Sequence, residues 1–189
     1  MNFPPVLFVL MLALVATASA QFGTAIAPGD VVIDKILPEV VQTPEYNLSS
    51  GPKKRSKNAQ WLEVEVEYTT KPEMIDELTF SFTILINGKK LVNPEVTHIA
   101  IPKGREHYSV VYVAPRSLEV LTGGRPLTSS SIENIQVDIS RQGQQLATKS
   151  FKPSPMPNVP AVSGVILKKP ETPFAPLFWD RYEALKTAR

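Results

Sequence analysis

Leu78 to Asn87 reads LTFSFTILIN and is followed at once by Gly88 and Lys89. Leu78, Phe80, Phe82, Ile84 and Ile86 fall on one side of an extended chain, with Thr79, Ser81 and Thr83 on the other, because successive strand side chains point to opposite faces. The alternation predicts a half-buried strand. Asn87-Gly88 offers the two positive-φ residues of a type I′ turn, so the strand is expected to fold back onto Lys89 to Val92. One strand cannot bury its own face. A second alternating run, Leu62, Val64, Val66 and Tyr68 with Glu63, Glu65 and Glu67 between them, is expected to cover it and seed a sheet-on-sheet core.

Outward from this pair the pattern repeats. Asp30 to Val41 alternates loosely, and Pro38 confines it to an edge. Thr70 to Glu77 breaks the pattern at Pro72 and reads as a connection. Val96 to Ile101 and Glu106 to Ala114 read as two strands divided by Pro102-Lys103-Gly104-Arg105. Pro115 to Thr122 is a two-turn helix, with proline at its start and Gly123-Gly124 at its stop. Ile132 to Arg141 and Gln145 to Phe151 form the last hairpin. Seven or eight short antiparallel strands, with turns every eight to twelve residues, predict an all-β sandwich. Its core is expected to include Val64, Val66, Phe80, Phe82, Ile84, Tyr112, Val137 and Ile139.

Composition bounds the rest. The chain has 189 residues, no cysteine and a formal charge of +2, too small and dispersed to point to nucleic acid. Without cysteine, disulfides, thiolate metal sites and a cysteine nucleophile are excluded. Residues 1 to 20 read as a secretory signal peptide: an apolar run from Phe3 to Ala16, then Ala18-Ser19-Ala20, placing cleavage between Ala20 and Gln21. A retained membrane anchor is the rival reading, and no other segment approaches spanning length. Residues 21 to 29 are a flexible leader, 30 to 152 the sandwich, and 153 to 189 a proline-rich arm. The arm ends in PFAPLFWDRYEALKTAR, where Leu177, Phe178, Arg181, Tyr182 and Leu185 have helical spacing and predict a short amphipathic helix.

Candidate chemistry is sparse. The motifs of nucleophilic hydrolases, zinc proteases and phosphate-binding loops are absent, so no catalytic, metal or cofactor residue is assigned and a non-enzymatic protein is expected. His98 and His107 read as ordinary sheet histidines on neighbouring strands. Glu63, Glu65 and Glu67 read as a solvated acidic face opposite Lys89, Lys90 or another base. Trp61 lies on that face and either caps the sheet edge or meets a partner. The candidate partner-binding residues are Phe174, Leu177, Phe178, Trp179 and Tyr182 of the arm, and the basic loop residues Lys53, Lys54, Arg55 and Lys57. Trp61, Tyr68 and Trp179 are alternative stacking platforms for a carbohydrate or other ligand.

The WLEVEVEY strand, the YVAP segment before the short helix and the TPFAPLFWDRYE tail, Thr172 to Glu183, together resemble the verrucomicrobial pilus-like proteins encoded beside type IV pilus-type machinery. That resemblance implies an immunoglobulin-like sandwich and an exported, non-enzymatic role in the periplasm, at the outer membrane or on the cell surface. Its implied partners are proteins of the envelope or pilus-type machinery. The tethered helix itself is expected to dock on its own sandwich as a lid over an open edge or face, with docking on another subunit, self-association through the C-terminal arm, as the alternative. QFGTAIAPGD, which follows Ala20, cannot serve as the long apolar spine of an ordinary type IV pilin, so the implied role is an accessory one.

Overall fold

The computed structural model describes residues 26–46, 59–93 and 95–186. The proposed signal segment with its Ala20–Gln21 junction, and the basic loop with Lys53, Lys54, Arg55 and Lys57, lie outside the described residues. No helix among the described residues is long and apolar enough to cross a membrane.

Among the described residues eight strands and one α-helix follow in order: β1 (Val31–Gln42), β2 (Gln60–Ile86), β3 (Lys89–Val92), β4 (Val96–Val113), α1 (Pro115–Thr122), β5 (Ile132–Arg141), β6 (Gln144–Ser150), β7 (Ala161–Val162) and β8 (Ile166–Lys168). This is the expected all-β sandwich, but its two principal runs are one strand. Leu62 to Tyr68 and Leu78 to Ile86 both belong to β2, which continues through Thr70 to Glu77. The two strands expected around Pro102 are likewise one, β4. β2 and β4 pair along most of their length, from Leu62 opposite Val113 to Phe80 opposite Val96.

The bend that makes two layers from one hairpin lies where the pairing slips, between Tyr68 and Thr70 and between Thr70 and Met74. Extra residues there leave the ladder and sharpen the local twist. Ala100 and Glu106 take positive φ on the β4 side, at 55° and 64°. Beyond the bend the first half of β2 lies between β1 and β4, with β8 on the far side of β4. Its second half lies between β5 and β3, with β6 and β7 outside them. Lys149 Nζ on β6 reaches the carbonyls of Ile33 and Asp34 on β1, tying the two layers together along their other margin.

The faces follow the alternation. Leu62, Val64, Val66, Phe80, Phe82 and Ile84 are buried to 1 % exposure or less and meet Val137 and Ile139 in one core. Asn87 and Gly88 adopt φ of 46° and 70° and close β2 onto β3 as expected. α1 ends at Gly123, φ 64°, with the Gly124 N–H bonded to the Glu119 carbonyl at 2.8 Å. Tyr112 is buried, but outside this core: it stands opposite Glu63 on the outer face, in a second cluster with Trp61, Val110 and Phe174.

Candidate functional site: the C-terminal clasp

Beyond β8 the chain does not form the expected helix. A short 3-10 turn, Lys169–Glu171, leads into successive turns closed by Ala175 N–H to Thr172 O, Leu177 N–H to Phe174 O and Arg181 N–H to Phe178 O. Pro170, Pro173 and Pro176 stand every third residue just ahead of the expected helix, in the stretch that forms these turns. From Tyr182 the tail straightens along β4. Ile99 N–H donates to Ala184 O at 2.9 Å and Lys186 N–H to Thr97 O at 2.8 Å. These bonds satisfy edge groups of β4 that a helix would leave open to water.

The tail covers the acidic face of β2. Phe174, 6 % exposed, stacks on Tyr112 with centroids 4.7 Å apart and planes 6° apart, and meets Trp61 edge-on at 5.6 Å. Trp61 is therefore neither a solvent-facing cap nor a free platform: it is buried, and its Nε1–H donates to Thr43 Oγ1 at 3.0 Å. Glu65 is also buried. Arg181 grips it through two bonds, Nε to Oε2 at 3.0 Å and Nη2 to Oε1 at 2.7 Å, and the Tyr182 hydroxyl donates to Oε2 at 2.7 Å. The guanidinium also lies 3.6 Å over the Tyr108 ring. A bidentate, partly desolvated pair of this kind is stronger than an exposed one. The acidic face is thus covered, and its bases are Arg181 and, for Glu67, Lys35 rather than Lys89 or Lys90.

Both histidines meet the tail at Glu183, and both stand on β4. His98 is 2 % exposed, with Nδ1 3.1 Å from the Glu183 carbonyl and Nε2 2.9 Å from Ser109 Oγ. A carbonyl only accepts, so Nδ1 carries the proton and Nε2 is free to accept from the serine. Burial holds the His98 imidazole below its usual 6.5, against a smaller pull from the Glu183 carbonyl. His107 Nδ1 lies 2.8 Å from Glu183 Oε1, and its Nε2 is 3.3 Å from Thr70 Oγ1, which donates to Pro102 O. The side chain of Lys186 completes the clasp at Glu77, 2.6 Å away.

The serine–histidine contact has the form of a hydrolytic pair, but Ser109 is wholly buried. A cavity of about 210 Å³ opens beside it, lined by His98, Lys169, Trp179, Tyr182 and Leu185. Burial holds the Lys169 ammonium below its usual range, and its Nζ donates to Ala175 O and lies 5.0 Å over the Tyr182 ring. Among the described residues no group of three or more histidine, aspartate or glutamate side chains could hold a metal.

The arm residues singled out from sequence therefore divide. Phe174 is buried within its own chain, Leu177 and Tyr182 are half-buried, and Phe178 and Trp179 stand out at 68 % and 78 % exposure. Phe178 takes a positive φ of 50°, and the chain stays anchored on both sides of the pair, at Phe174 and at Arg181–Tyr182. Glu65, His98, His107 and Arg181 stand out in the sequence only as an acidic face, two sheet histidines and a helix face; their pairing with one another, and the parts played by Glu77, Ser109, Glu183 and Lys186, do not.

A protein-family model matches residues 24–189, clasp included. The chain belongs to that family. Among solved structures, the crystal structure of a protein from Akkermansia muciniphila matches with a TM-score of 0.71 and 24% identity, covering 84% of this chain and 94% of that one. At that identity the likeness speaks for the sandwich alone. No curated protein matches the sequence.

Proposed function

We propose that the protein is a non-enzymatic, exported interaction module, an accessory of a pilus-like or secretion apparatus in the bacterial envelope. The observation that carries this reading is the Phe178-Trp179 pair, two large apolar side chains held in water at the apex of a tail otherwise committed to its own sandwich. Each such side chain forgoes roughly 1.5–3 kcal/mol of burial, and a rigid aromatic anchor is what protein interfaces favour. The signal-like residues 1 to 20 and the resemblance of the tail to pilus-like proteins supply the address. The carbohydrate reading weakens, because Trp61 and Tyr68 are buried and leave Trp179 alone of its three platforms.

The test is in-cell crosslinking of the full chain in a bacterium that produces it, comparing wild type with Phe178→Ser/Trp179→Ser. Envelope-machinery proteins crosslinked to wild type and lost in the double variant are the expected result. An unchanged set, or crosslinks confined to cytoplasmic proteins, would overturn the reading.

A further inference from the structure

The tail is held to the sandwich by many groups and joined to it by few. Between β6 and β8 the chain runs through a largely exposed stretch containing Pro153, Pro155, Pro157 and Pro160. Within it β7 pairs with β3, so that stretch stays with the sandwich. Only Ser163, Gly164 and Val165 then separate β7 from β8. Gly164 sits at φ 76°, where any side chain would be strained.

Beyond this hinge lies a complete strand-and-clasp unit. Ile166 to Lys168 pairs with Val111 to Val113, Tyr182 bridges Tyr108, and Leu185 bridges His98, all along the one edge of β4 left free by β2. The side chains repeat the address, with Arg181 on Glu65, Glu183 on His107 and Lys186 on Glu77. None of these contacts depends on which copy of the chain supplies the tail. A tight hinge joining such a unit to its receiving surface favours exchange, because the same contacts re-form between copies while the hinge extends.

We propose that residues 166–186 are an exchangeable strand, and that the partner they fit is a second copy of this chain. The hinge opens at Ser163–Val165, and each copy lays its tail along the β4 edge of the other. Edge-strand addition supplies the affinity, and the Arg181–Glu65 and Lys186–Glu77 ion pairs with the Glu183–His107 hydrogen bond supply the register. The proposal goes beyond the envelope role above and stands whether or not that role holds.

Charge reversal distinguishes exchange from closure within one chain. E65R and R181E, made as separate full-length chains, each place like charges at the clasp when the tail closes on its own sandwich. A reciprocal exchange between one copy of each rebuilds two opposite-charge pairs. Light scattering of the equimolar mixture, warmed and cooled, is expected to show a species of twice the monomer mass that contains both chains and is absent from either variant alone. In wild type, G164V is expected to raise the same dimer by straining the closed hinge. A mixture that stays monomeric, while the double variant E65R/R181E unfolds at the wild-type midpoint, overturns the proposal.

If that double variant fails to recover, the absence of native cysteine provides the deciding measurement. His98 and Leu185 face each other without direct hydrogen bonds between them, the close pairing that suits a disulfide. H98C and L185C on separate chains, mixed and oxidised, should give a heterodimer linked between those two positions. Absence of that linkage in a peptide map would overturn the exchange.

Discussion

Replacing Phe174 by alanine tests whether the tail is part of the folded unit. The ring is 6 % exposed, lies parallel to Tyr112 at 4.7 Å and meets Trp61 edge-on at 5.6 Å. Removing a buried phenylalanine costs about 3–5 kcal/mol. Two aromatic contacts of this geometry contribute about 0.5–1.5 kcal/mol each beyond the area they bury. There is also a ceiling: once the loss exceeds what the whole clasp contributes, the tail lifts off and the sandwich loses no more. The expected result is therefore a loss near the lower bound, about 3 kcal/mol, accompanied by release of the tail.

Urea unfolding reads both. In a Trp179→Phe background Trp61 is the only indole, and it lies directly beneath Phe174. Its emission reports the clasp, and far-ultraviolet circular dichroism reports the strands. In the parent the two signals should move together. In the Phe174→Ala variant the indole should already emit at longer wavelength without urea, and the strands should unfold at a lower midpoint. A loss below about 1 kcal/mol with unchanged Trp61 emission would refute the reasoning, because the ring would then cover nothing.

Three further outcomes follow from single groups. His98 is held below 6.5, so above that value it is neutral in both states and its stability contribution is fully present. As pH falls through 6.5 the unfolded chain takes up a proton that the folded one resists, and the unfolding midpoint should drop between pH 7.5 and 5.5, with a smaller drop in His98→Gln. Glu63 is raised by burial and acts in the opposite sense at lower pH, so an equal slope in the variant would remove His98 as the cause. Tyr68 is wholly buried and its hydroxyl has no hydrogen-bond partner among the described residues; Tyr68→Phe should raise stability by about 1 kcal/mol in urea, and a loss of that size would show that the hydroxyl is satisfied. Phe82→Ala should cost about 3–5 kcal/mol, and a loss under about 1 kcal/mol would place the ring at the surface.

The strands were legible because their faces alternate over several residues and the Asn87-Gly88 turn has few other conformations to adopt. The continuity of β2 was not. Where a strand bends from one layer into the other, its residues face both sides in turn, and Thr70 to Glu77 therefore looks like a break although its backbone stays in the ladder as far as the bulges allow. The tail failed for a different reason. The helical spacing of Leu177, Tyr182 and Leu185 is present, but it competes with the unpaired groups of β4 between Thr97 and Ile99, and two direct backbone bonds decide the outcome. Nor could local pattern reveal the histidines, since the residue that unites them, Glu183, lies 76 positions beyond His107.

One signal did reach further than its neighbourhood. Trp61 shares the outer face of β2 with three glutamates, and an indole on such a face must be covered or left in water at a cost of a few kcal/mol. A cover for that face needs apolar bulk for the tryptophan and cations for the carboxylates. Phe174, Arg181 and Lys186 occur within thirteen residues of one another, in the segment that belongs to no other part of the sandwich. Read together, the uncovered face and the unassigned segment already imply a contact between them. What neither could supply is the arrangement by which Arg181 reaches Glu65 and Lys186 reaches Glu77, because that depends on the tail running along β4 as a strand. The same dependence links the clasp to exchange. A cover made by helix packing would be held by side chains alone, whereas one made by edge pairing also carries the backbone code through which a second copy is recognised.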